Sequence, residues 1–170
     1  MGDLSLGASP LRELWGCEPF EMTIQAYLYE SYDGTIYYPP PNNIIKMKGP
    51  RTGRFRIILK NVSSDTQSLL KATASSAEKG MGQIFFESTD ESGNRNVVTK
   101  KIDASQSKMQ GYSYIGPGKS VDFDVSLTPK DWEGLGLLVS KGARKLRTRA
   151  AYKNGTSTIY SDYYTVIIEE

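Results

Sequence analysis

The stretch Gly116-Pro117-Gly118-Lys119-Ser120 closes on Gly-Lys-Ser, the ending of a phosphate-binding loop, so nucleotide chemistry is the first reading to test. Such a loop follows the pattern G-x-x-x-x-G-K-[ST] and runs into a helix whose amino end holds the phosphates. Here the position that needs the first glycine is Ser113, and the residues that follow, Val121 to Leu127, alternate apolar and polar. That is the period of a strand. Pro117, Gly118 and Ser120 have turn chemistry instead: proline presets one dihedral, glycine tolerates a positive φ, and the serine hydroxyl can bond nearby backbone. No nucleotide or other cofactor is expected.

The remaining reactive groups are few. Histidine is absent, which removes the commonest general base and metal ligand and every histidine-dependent triad. Cys17 is the single cysteine, so no disulfide can form within the chain, and no histidine is there to activate its thiol. Leu14-Trp15-Gly16-Cys17 resembles a lipoprotein cleavage box, but Asp3, Arg12 and Glu13 interrupt the apolar core it would need. Asp122 and Asp124 sit two apart on the outer face of the Val121–Leu127 strand, and Asp90, Ser92, Asn94 and Asn96 alternate through a turn. Both read as solvated groups rather than calcium ligands, and no metal is expected. An enzyme is not expected.

Binding residues are more plentiful. The chain has 11 tyrosines. Tyr37, Tyr38, Tyr112, Tyr114, Tyr160, Tyr163 and Tyr164 fall near strand ends or at outward positions. Tyr112, Tyr114, Tyr160, Tyr163 and Tyr164 form the candidate interaction surface, for a protein or a glycan ligand. Lys141, Arg144, Lys145, Arg147 and Arg149 form a basic cluster. With a net charge of +2 and no aromatic alternating among them along the strand, nucleic acid is not an expected partner. Asn61-Val62-Ser63 and Asn154-Gly155-Thr156 match the glycosylation sequon, and both fall in expected turns.

The elements that must position these residues are strands. Phe20, Met22, Ile24, Ala26 and Leu28 share one face of a segment; so do Phe55, Ile57 and Leu59 of another, and Leu146, Thr148, Ala150 and Tyr152 of a third. Pro39-Pro40-Pro41-Asn42-Asn43 cannot lie in a central strand and reads as an edge crossing between two short strands. Thr89 to Asn94 and Lys153 to Thr156 carry hairpin turn residues, and Ser157 to Glu169 reads as one return strand. Asp131 to Gly142 is expected to be a looped connection, because Gly134 and Gly136 each weaken a helix by about 1 kcal/mol. The fold class is all-β, an antiparallel sandwich of about seven to nine strands. Residues 1–19 read as an extension with a short helical turn, and 20–170 as one sandwich domain. At 38% hydrophobic residues the chain can bury a core, and it has no apolar run long enough to span a membrane as a helix.

Several segments in order resemble bacterial immunoglobulin-like domains: Ile58 to Thr66 with its N-x-S, the Phe85 to Asn94 hairpin, the Gly116 to Leu127 turn and strand, Asp131-Trp132, and Arg149 to Tyr152. The hairpin and the Pro-Gly turn are also similar to the intracellular proteinase inhibitor domain of bacilli. Where that family carries a tryptophan-bearing segment after the hairpin, this chain has Asn96-Val97-Val98-Thr99-Lys100-Lys101. The resemblance implies an immunoglobulin-like sandwich acting as a non-catalytic binding or interaction module of an exported bacterial protein. It implies an extracytoplasmic home, with a cytoplasmic one left open. Two alternatives stand beside it: a proteinase inhibitor presenting Ser75 to Gly82, and a carbohydrate-binding module using exposed tyrosines. Ligand identity and oligomeric state are not legible in the sequence.

Overall fold

The computed structural model describes residues 19–31, 34–48, 52–70, 83–100, 113–138, 142 and 144–169. Tyr112, Lys141, the Ser75–Gly82 loop and the first 18 residues, with Cys17 and the expected helical turn, lie outside them, as do the side chains of Leu28, Tyr37 and Tyr38. Twelve strands are found among the described residues, more than expected. The excess comes from short pieces and from a strand that divides in two.

The first sheet is built from β1 (Phe20–Ser31), β2 (Gly34–Tyr38), β4 (Gly53–Asn61) and β9 (Ser120–Leu127), in the order β2-β1-β4-β9, antiparallel throughout. The second contains β3 (Ile44–Lys48), β6 (Gln83–Asp90), β7 (Arg95–Lys100), β10 (Lys145–Asn154), β11 (Ser157–Tyr160) and β12 (Tyr164–Glu169). Its order is β3-β12-β10-β6-β7, with β11 also paired to β10. The β3–β12 pair is parallel, so the second sheet is mixed rather than purely antiparallel. A two-stranded ribbon, β5 (Gln67–Leu69) with β8 (Ser113–Ile115), adds Leu69 and Ile115 to the core.

One hydrophobic core takes side chains from both sheets, and the expected inward faces supply it. Phe20, Met22, Ile24 and Ala26, then Phe55, Ile57 and Leu59, then Phe123, Val125 and Leu127 are buried from the first sheet. Leu146, Ala150 and Tyr152 meet them from the second. The proline run makes a crossing: β2 ends at one edge of the first sheet, a 3-10 turn spans Pro41–Asn43, and β3 begins at an edge of the second.

Two further sequence expectations are corrected by the strands and helix themselves. Residues 129–134 form a short helix, α1 (Pro129–Gly134), not a loop. Thr128 caps it, accepting from the Asp131 amide at 3.2 Å, while the Asp131 carboxylate accepts from the Thr128 amide at 2.8 Å and from Lys100 Nζ at 2.6 Å. This reciprocal box offsets the glycine penalty, since Gly134 ends the helix instead of interrupting it. Trp132 then packs edge-on against Phe55 with ring centroids 6.0 Å apart. The second correction concerns Ser157 to Glu169, which divides into β11 and β12 around residues 161–163. Ser161 holds that interruption against β10: its amide donates to Ala150 O, and its hydroxyl accepts from the Ala150 amide, both at 2.9 Å.

The turn at Gly116–Lys119 closes through a Lys119 amide to Gly116 carbonyl bond of 3.0 Å, and Gly118 has φ +73°. Proline at the second position and a positive-φ glycine at the third make a type II turn. The turn is anchored to Asn61, whose carbonyl accepts from the Gly118 amide at 2.8 Å and whose amide donates to Lys119 O at 2.9 Å. The Asn61 side chain is itself a buried junction. Its Nδ2 donates to Ile115 O at 2.7 Å and Asp65 O at 2.8 Å, and its Oδ1 accepts from the Ser63 amide and hydroxyl at 2.9 and 2.7 Å.

Candidate functional site

The alternation of β10 sends Leu146, Thr148, Ala150 and Tyr152 into the core and therefore places Lys145, Arg147 and Arg149 on the outer face of the second sheet. Strand register sets their neighbours. One row runs Thr165, Arg147, Thr89, Arg95; the next has Arg149, Glu87 and Val97; a third has Tyr160, Ala151, Phe85 and Thr99. The interruption held by Ser161 brings Tyr163 over the same face.

The result is a stack of alternating arginine and tyrosine. The Arg149 guanidinium lies 3.9 Å from the Tyr160 ring centroid and 4.8 Å from that of Tyr163, and Arg147 lies 4.0 Å from Tyr163. Each such contact stabilises by about 0.5–1 kcal/mol at an exposed site. Behind the stack, Glu87 is buried and accepts from Arg149 Nε; its other oxygen is 3.4 Å from Arg95. One carboxylate thus serves two guanidiniums and fixes Arg149 in place. Arg147 differs: among the described residues its guanidinium has the Tyr163 ring beside it and no carboxylate or carbonyl acceptor. It borders an open groove of about 360 Å³ lined by Thr89, Asp90, Glu91, Lys145, Leu146, Arg147 and Thr165.

The five candidate tyrosines do not form one surface. Tyr160 and Tyr163 come together in the stack. Tyr114 is strongly exposed, but it stands on β8 of the separate ribbon, opposite Ser68. Tyr112 is outside the described residues. Tyr164 is a correction: it is buried, because it opens β12 in the inward phase shared with Val166 and Ile168. Burial pushes its phenol up, against a hydrogen bond with the Ile24 backbone.

The other candidates serve the fold. Asp124 pairs with Arg56 at 3.0 Å. Asp90 closes the β6–β7 turn, accepting from the Asn94 and Ser92 amides at 2.9 Å, and these bonds, that of Asn94 foremost, hold its carboxyl below the ordinary range. Among the described residues no group of three or more acidic or cysteine side chains is placed to hold a metal. Both sequons are structural. Asn61 is fully buried with its amide engaged, and Asn154 accepts from the Leu70 amide at 2.9 Å while donating to Ser68 O at 3.2 Å. The inter-sheet void near Trp132 measures about 10 Å³, a packing gap rather than a ligand pocket. No helix among the described residues is long and apolar enough to cross a membrane.

No family model matches this sequence, and no curated protein does. Among solved structures, the ApaA protein of Bordetella pertussis aligns over 90% of this chain and 98% of its own, with 11% identity and a TM-score of 0.40. The structural-genomics target SoR45 aligns over 89% of this chain and 83% of its own, with 10% identity and a TM-score of 0.37. The alkylpurine DNA glycosylase AlkC of Pseudomonas fluorescens, solved bound to DNA with an abasic-site analogue, aligns over 91% of this chain and 33% of its own, with 7% identity and a TM-score of 0.37. Likenesses this remote carry no conclusion about this chain.

Proposed function

We propose that this chain is a non-catalytic binding module of immunoglobulin-like type, part of an exported bacterial protein, and that it engages a protein partner through the outer face of its second sheet. The supporting observation is the Tyr160–Arg149–Tyr163–Arg147 stack. Tyrosine and arginine dominate protein interface hot spots, since both offer large contact area and polar ends. Here stacking, together with Glu87 at Arg149, orders these side chains in advance, which lowers the entropy lost on binding. Exposed Val97 and half-buried Phe85 extend the face with apolar surface. A protein partner is favoured over a glycan because a guanidinium already occupies a face of each ring on which a sugar would stack. The inhibitor alternative rests on Ser75 to Gly82, outside the described residues.

The test is selection of a displayed random-peptide library on the folded chain, beside a glycan array. Enriched peptides are expected to lose about tenfold or more in affinity toward Tyr160→Ala and Tyr163→Ala. They should bind Tyr114→Ala as they bind the parent. Peptides indifferent to both substitutions, or glycan binding that depends on Tyr160 or Tyr163, would refute the reading.

A further inference from the structure

Resting on that interaction-module reading, we infer that Arg147 and the groove beside it form a carboxylate site, and that the partner is an acidic peptide segment whose aspartate or glutamate side chain is received there. Arg147 is the cation of the stack left without an anion. Arg149 and Arg95 share Glu87, whereas Arg147 has the Tyr163 ring at 4.0 Å and no acceptor among the described residues. A guanidinium whose only neighbour is a ring face keeps N–H donors free for the paired oxygens of a carboxylate. The groove supplies room, at about 360 Å³, and a second cation in Lys145.

Its two acidic members stand at the hairpin end. Asp90 is occupied by the turn amides, and Glu91 belongs to the turn itself. Across the strand rows, Arg95, Arg147, Arg149 and Lys145 stand against Glu87, with Asp90 and Glu91 at the hairpin end, so among these described residues four cations meet three carboxylates and the face complements negative charge. A nucleic acid fits less well. Stacking bases need bare ring faces, and a guanidinium already occupies a face of each ring, while a phosphate track would pass Glu87.

The experiment titrates the whole chain with fluorescein-labelled hexaglutamate, hexaglutamine and hexathymidylate at physiological salt, with anisotropy as readout. Backbone amide shifts of the parent protein are recorded during the hexaglutamate titration. Hexaglutamate is expected to bind and hexaglutamine not. Shifts should centre on Thr89, Arg147 and Thr165. Arg147→Gln should weaken binding about tenfold or more, with Arg147→Lys in between because it keeps charge but loses the planar fork. The inference is overturned by equal binding of hexaglutamine, by indifference to Arg147→Gln, by shifts centred elsewhere, or by tighter binding of hexathymidylate. It is also overturned if hexaglutamate shows no binding at about 1 mM. Selected peptides that are neutral yet depend on Tyr160 and Tyr163 would overturn this inference while leaving the interaction module standing.

Discussion

Asn61 joins the end of β4 to the β5–β8 ribbon and to the Gly116–Lys119 turn, and replacing it with alanine removes four hydrogen bonds at one site. Asp65 O, the Ser63 amide and the Ser63 hydroxyl are only partly buried, so water or a neighbour can replace the lost partner, at about 1 kcal/mol or less each. Ser63 Oγ has Asp65 O at 2.9 Å as an alternative acceptor for its one proton. The Ile115 carbonyl is different. Its bond to Nδ2 is buried, and stranding it costs about 1–3 kcal/mol. Asn61→Ala should therefore lose more than about 1 and up to about 6 kcal/mol, measured as a lower urea midpoint with an unchanged slope.

Asn61→Asp separates geometry from polarity. The carboxylate can still accept from Ser63, but its second oxygen would face two carbonyl oxygens with no hydrogen to offer. Burial beside those acceptors raises the carboxyl pKa in the folded state above its unfolded value. A raised folded pKa means that stability is retained below the unfolded pKa and lost as pH rises through the folded one. The aspartate variant should thus be least stable near neutral pH and recover toward the parent as pH falls to about 4. If Asn61→Ala costs under about 1 kcal/mol, or if the aspartate variant matches the parent at pH 7, the buried junction does not hold this part of the fold.

Two further predictions concern folding. Asp131→Asn keeps an acceptor for the Thr128 amide but removes the charge that pairs with Lys100, and should cost about 0.5–2 kcal/mol at pH 7. Burial opposes the charge of Asp131, but its bonds from Lys100 and Thr128 prevail and lower its pKa. Its contribution is therefore present above the unfolded pKa and is lost as pH falls through the folded one, so the gap between parent and variant should close as pH falls below the ordinary carboxylate range in a thermal series. A gap unchanged between pH 7 and pH 2 would count against the ion pair. Gly118→Val should cost about 1–2 kcal/mol because its φ is +73°, while Lys119→Ala should be almost neutral; equal denaturation midpoints would contradict the turn geometry.

Much of the scaffold was legible from local pattern. Period-two alternation located the inward faces of β1, β4, β9 and β10, since a strand's pleat fixes which side chains share a face. Turn chemistry located the Gly116–Lys119 turn and the two hairpins, because glycine and asparagine supply conformations that other residues resist. The α1 capping box was also present, as Thr128 and Asp131 at capping spacing, but two nearby glycines obscured it. The inward phase of Tyr164, shared with Val166 and Ile168, was readable as well and was hidden by the adjacent Tyr163.

The functional face was a different matter. By itself the sequence determined which residues alternate and where the chain turns, both consequences of backbone sterics over a few residues. It could not determine that Tyr160 and Tyr163 stand over Arg149 and Arg147, because those contacts depend on β11 and β12 sharing one side of β10 and on Ser161 displacing the chain between them. Nor could it show that Glu87 pairs with Arg149 and leaves Arg147 without an acceptor among the described residues, since that follows from the register between β6 and β10. Charge counted along the chain is blind to pairing across a sheet. The tertiary structure therefore decided which tyrosines stand beside Arg147 and Arg149 and which of these two arginines Glu87 holds.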